Sequence, residues 1–242
     1  MTITPQLNIH AAPFLTTRWT RVCQAKSDSD DGRKALADLC EAYYEPVFTY
    51  LRGVSLTADA AREMSHAFFA EMLGGGTIHA ADRERGRFRS YLLGAVKHFA
   101  ARQRESAQRL KRGGGAAMVA LDDPEVVNVA DPRQRSPDVE FDRQWAITVL
   151  ARGLEMLRLE CVTEGRADFF ESVKSLLSGS AERGDLTELA AASGMKPDAF
   201  RMAVHRLKKR LRDCVKQEVA GTLDDPAHVQ DEMAALFAAL GS

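Results

Sequence analysis

Apolar positions along the chain recur at helical spacing, i, i+3, i+4 and i+7, and nowhere alternate long enough to suggest a strand. The pattern predicts helices over about 15–26, 33–52, 57–73, 84–112, 138–160, 166–178, 186–193, 197–219 and 226–240, and hence an all-α fold. Glycines punctuate these segments. Gly74-Gly75-Gly76 and Gly113-Gly114-Gly115 are expected to close the helices before them, because continued helix through three glycines is costly. Residues 113–137 break the periodicity with Pro124, Pro132 and Pro137. From Leu121 to Asp142 there are seven acidic residues against two basic, so this stretch reads as a flexible acidic linker. The expected organisation is a first helical domain, 1–112, the linker, 113–137, a second helical domain, 138–222, and a C-terminal helical extension, 223–242.

The chain has 242 residues, enough for a sizeable core, with 45% hydrophobic and 28% charged residues. Its formal charge of −1 hides a segregation. Asp82–Arg112 carries +7 and Lys196–Lys216 carries +6, which leaves the remainder at −14. Two cationic segments on an acidic background are what two polyanion-contacting surfaces look like in sequence. Cys23, Cys40, Cys161 and Cys214 are too dispersed for a zinc ribbon or a disulfide scaffold, and the histidines are scattered, so neither metal nor cofactor is expected. No apolar stretch approaches the roughly 18 residues of a membrane span, and no secretory leader is visible, so a cytoplasmic protein is expected. Carboxylates at two-metal spacing and nucleophile–base arrangements are also missing from the pattern, which argues against an enzyme.

On the helix 84–112, Phe88, Tyr91, Leu92, Ala95, Val96, Phe99 and Leu110 fall on a core-facing arc, while Lys97, Arg104, Gln108 and Lys111 form a stripe opposite. An ordinary solvated face would interleave acids, yet Glu105 is the only acid between Lys97 and Arg112. Phosphate contact is the better reading of that stripe, with Tyr91, beside Lys97 and His98, placed to stack an unpaired base. Residues 186–207 have the form of a helix-turn-helix: small Ala190 where helices touch, Gly194 at the turn, and Pro197 opening the second helix. Phe200, Ala203, Val204, Leu207 and Leu211 face inward, which leaves Arg201, Met202, His205, Lys208, Lys209 and Arg212 outward. The first three are expected at base edges and the last three at phosphates.

With these motifs in view, the chain resembles a sigma factor of the extracytoplasmic-function type in the sigma-70 superfamily, from about Thr16 to the C-terminus. Tyr43-Tyr44-Glu45-Pro46-Val47-Phe48 resembles the start of that family's first conserved domain, and Arg85-Gly86-Arg87-Phe88-Arg89-Ser90-Tyr91-Leu92-Leu93 with Lys97-His98-Phe99 resembles its promoter-melting helix. Leu110-Lys111-Arg112-Gly113-Gly114 resembles the end of that helix, and Ala203-Val204-His205-Arg206-Leu207 the recognition helix of the second domain. The resemblance implies binding to core RNA polymerase, with the downstream promoter element read by the first domain and the upstream element by the second. An ordinary stand-alone helix-turn-helix regulator is the alternative.

One segment departs from the family pattern. Asp59, Arg62, Glu63 and His66, with Ala67, share the outward face of the helix that the resemblance assigns to polymerase binding, where acids are commoner. Weak unaided polymerase binding is expected. Phosphorylation by a regulatory Ser/Thr kinase would restore charge, with Thr57, at the expected N-cap, and Ser65 as candidate sites. An anti-sigma partner is the other expected form of control. After Pro226, the stripe Val229, Met233, Leu236, Phe237 and Leu240 is expected to pack as extra core.

Overall fold

The computed structural model describes residues 18–27, 29–55, 57–74, 76–82, 87–113, 135–177, 185–221, 223 and 225–241, and these contain helices and no strands. In chain order the helices are α1 (Arg18–Ala25), α2 (Asp30–Val54), α3 (Ala58–Leu73), α4 (Gly76–Ala80), α5 (Phe88–Gly113), α6 (Pro137–Thr163), α7 (Ala167–Leu177), α8 (Asp185–Ala192), α9 (Pro197–Ala220) and α10 (Val229–Gly241), the last preceded by a 3-10 turn, Pro226–His228. Most of the expected linker, 114–134, lies outside the described residues, as do 83–86, which include Arg85 and Gly86 of the segment that resembles a promoter-melting helix.

The helix starts follow from local chemistry. Ser29, Thr57 and Ser136 are extended N-caps whose hydroxyls accept from the backbone N–H of Gly32, Ala60 and Val139, so each satisfies one of the donors a helix start leaves unpaired. Pro137 and Pro197 open α6 and α9, where a missing N–H costs nothing. α5 begins at Phe88, four residues later than the periodicity suggests. The first glycine triplet also differs from expectation. Gly74 caps α3, but Gly76 begins the short α4, whose Ile78 is buried.

α2, from before the expected linker, and α6, from after it, pack against each other, and α6 packs in turn on α9 and α10. Two glycines mark close approaches. A Cβ on Gly53 would stand 3.0 Å from Pro137 Cγ, and one on Gly153 would stand 2.6 Å from Val215 Cγ2 and 3.1 Å from its backbone nitrogen. The core is one contiguous cluster that runs from Tyr43, Phe68, Phe88 and Phe99 in the first half of the chain to Phe141, Trp145, Phe170 and Phe200 in the second. Its aromatic rings meet edge-on, Tyr43 with Phe88 at 5.3 Å and Phe68 with Phe99 at 5.5 Å between centroids. In the C-terminal stripe Val229, Met233 and Leu236 are buried as expected, but Phe237 is 54% exposed, so the buried arc of α10 is narrower than the wheel suggests.

Candidate nucleic-acid interface

α8 and α9 form the expected helix-turn-helix. α8 ends in a Schellman motif: Gly194, at φ +63°, donates to the Ala191 carbonyl at 3.0 Å, and Met195 donates to the Ala190 carbonyl at 2.9 Å. The glycine is required by that left-handed backbone, since open space surrounds the place of its Cβ. Ala190, fully buried, lets α9 approach, and Phe200 seals the corner edge-on to Phe169 at 5.8 Å. With Phe200, Ala203, Val204, Leu207 and Leu211 inside, Arg201, Met202, His205, Lys208, Lys209 and Arg212 are all exposed. His205, Lys208, Lys209 and Arg212 have no hydrogen bond or ion pair among the described residues, and Arg201 bonds only to its own helix, through Asp198 at 3.1 Å. Arg210 turns the other way and makes a bidentate pair with Glu160 of α6, 2.7 Å in both arms, which excludes it from this face.

The cations of α5 stand differently. Phe88, Leu92, Val96 and Phe99 are buried as expected, Tyr91 is half-buried beside Phe88 with its phenol pKa raised by burial, and Lys97, His98 and Arg104 are exposed; Lys111 lies within α5 but its side chain is outside the described set. The solvated stripe that the wheel suggests is nevertheless engaged from neighbouring helices. Lys97 pairs with Asp138 of α6, whose hydrogen bond raises the lysine pKa. Arg104 donates to the Val54 carbonyl at 2.9 Å, and Arg102 pairs with Glu71 at 2.6 Å.

Sequence reasoning missed the most buried charge cluster among the described residues. Glu232 of α10, 1% exposed, receives Arg87 at 2.6 Å and Arg89 at 3.1 Å; Arg89 also pairs with Asp142 and lies 4.2 Å above the Trp145 ring. A signal existed in the pattern. Glu232 sits between Val229, Met233 and Leu236 on the apolar stripe, where a charge survives only if paired.

On α3, Asp59, Arg62, Glu63 and His66 are exposed on one face, as expected. Arg62 donates to Asp59 at 2.7 Å, which further reduces the negative charge on offer. His66 faces Tyr44, whose ring stacks on Phe48 and Phe69. Thr57 is exposed at the N-cap, whereas Ser65 is fully buried and donates to the Ala61 carbonyl at 2.8 Å. Among the described residues no three His, Cys, Asp or Glu side chains gather as metal ligands, and no helix is long and apolar enough to cross a membrane. The arrangement is that of an all-helical protein with a helix-turn-helix and two cationic helices, one open and one engaged. Family models, curated proteins and solved structures yield no match to this chain.

Proposed function

We propose that the protein is a sigma factor: it binds core RNA polymerase, recognises a promoter and assists its melting, with no covalent chemistry of its own. The observation that carries the reading is the solvated cationic face of α9 on a correctly built helix-turn-helix, together with a second cationic helix, α5, that presents a half-buried aromatic, Tyr91. In this reading Arg201, Met202 and His205 meet base edges in the major groove and Lys208, Lys209 and Arg212 meet phosphates. Tyr91, Lys97 and His98 hold an unstacked base, offsetting the few kcal/mol that extruding it costs, while Arg104 and Lys111 follow the strand.

The exposed face of Asp59, Arg62, Glu63 and His66 on α3 is the polymerase-binding surface, weakened by its shortage of acids. Phosphorylation at Thr57 would add about −1.5 to −2 of charge beside that face and at a helix N-terminus. A buried Ser65 would first require α3 to move. A second reading, a stand-alone helix-turn-helix regulator in the cytoplasm, draws on the internal engagement of α5, which leaves α9 as the more solvated basic face. Run-off transcription with purified core polymerase on a genomic promoter library separates the two. A sigma factor co-purifies with core and yields discrete transcripts; tight sequence-specific DNA binding without core association would favour the regulator.

A further inference from the structure

Asp138 and Asp142 lie one turn apart on the same face of α6, and Lys97 and Arg89 lie two turns apart on α5; each carboxylate takes one of these cations. α10 adds Glu232, which grips Arg87 and Arg89 together from a site 1% exposed. α6 and α10 both follow the expected linker, whereas α5 precedes it. The second half of the chain therefore places three carboxylates on the cationic start of the first half's basic helix. Arginine presents the same fork to a carboxylate as to a phosphate, so these acids occupy the positions a nucleic-acid backbone would take. The buried part of this cluster, Arg89 with Glu232, is also a poor source of net stability compared with apolar packing of the same volume, so it is not explained as core.

We propose that Asp138, Asp142 and Glu232 form an acidic clasp that closes the α5 face, with α10 as its releasable element, and that single-stranded nucleic acid binds by displacing it. The inference rests on the reading of α5 as a nucleic-acid helix. It adds that the free protein is closed. Binding to a site accessible in only a small fraction of molecules is weakened by that fraction, so opening the clasp should tighten it.

The test is fluorescence anisotropy of a labelled random-sequence single-stranded oligonucleotide with the full chain. Glu232→Gln removes the grip, and Leu236→Ala loosens the buried side of α10 while leaving every charge in place. Both should bind about tenfold more tightly than wild type. Asp231→Asn, which removes an exposed charge from the same helix, should change affinity less than about twofold. Tightening in Glu232→Gln and Asp231→Asn but not in Leu236→Ala would reduce the effect to net charge and overturn the clasp, as would unchanged affinity throughout.

Wild-type protein provides the arm that needs no variant: added oligonucleotide should speed hydrogen exchange in α10 while α2 stays protected, and an α10 equally protected with DNA bound overturns the proposal. Variants that bind the oligonucleotide more tightly, in a protein that never associates with core polymerase, would keep the clasp and lose the sigma reading. A transcribing protein whose α10 stays shut would do the reverse.

Discussion

α5 and α9 are cationic helices of similar length, yet the cations of one are paired by neighbouring helices and most of those of the other face solvent without an ion pair among the described residues. On α5, Arg89, Lys97 and Arg102 are each paired with a carboxylate from another helix, as is Arg87 immediately before it. On α9, Arg210 alone is paired with a carboxylate of another helix among the described residues, and Lys208, Lys209 and Arg212 stand clear. The difference teaches that a charge count along one helix measures potential for a polyanion, whereas availability depends on what packs beside it. Acids scarce on α5 itself are supplied by α3, α6 and α10.

The largest expected effect breaks the open helix from its inner side. Phe200→Ala should lose about 3–5 kcal/mol in urea unfolding, because it empties the corner between α7, α8 and α9. Lys208→Ala, one face away, should stay within about 0.5 kcal/mol of wild type. Should the two cost the same, α9 does not have the inner and outer faces described.

Smaller, but still a matter of stability, is the joint between α9 and α6. Gly153→Ala should cost about 1–3 kcal/mol, since the new methyl meets Val215 side chain and backbone at once and the helices must part. Gly194→Ala should cost about 1 kcal/mol for a different reason, a positive φ with no clash. A shortened or shifted α8–α9 turn would be visible in the amide spectrum of the second variant.

On binding, the comparison sharpens into salt dependence. Lys208→Ala and Lys209→Ala should each weaken promoter-duplex binding across sequences and lower the slope of log affinity against log salt by about 1, while Arg201→Ala changes the preference among upstream elements. An unchanged slope in the lysine variants would contradict their assignment to phosphates. Thr57→Glu, alone or with Arg62→Glu, should tighten core-polymerase binding severalfold in a pull-down titration, and wild-type affinity in both would end the charge-restoration idea.

The smallest effect concerns the thiols. Exposed Cys23 should alkylate first in the native protein, ahead of Cys40, Cys161 and Cys214. Desolvation pushes Cys40 and Cys214 from 9.0 to about 11. With folded values above unfolded ones, the stability they contribute is full below pH 9.0 and is lost as pH rises toward about 11. Urea midpoints that stay flat across that window would show both thiols to be solvated.

Much of the fold was legible because period and caps agree. Thr57, Gly194 and Pro197 lie where their chemistry requires, and the inward face of α9 matched residue by residue. α4 was hidden because five residues carry too little periodicity to stand out after a glycine pair. The outward residues of α9 were readable since nothing among the described residues beyond α9 itself pairs with them. Those of α5 were not, because Asp138 is 41 residues from Lys97 and Glu232 is 143 from Arg89, separations at which a wheel has no information. Phe237 shows the same limit: a stripe fixes an angle, and the neighbouring helix fixes how wide the buried arc is.

Permanganate footprinting of a promoter bound by core polymerase and this protein tests the division of labour between the two helices most directly. Wild type should expose reactive thymines at the melted segment, and Tyr91→Ala with Lys97→Ala should abolish that reactivity while the upstream duplex footprint of α9 persists. Full reactivity in the double variant would contradict the assignment of melting to α5.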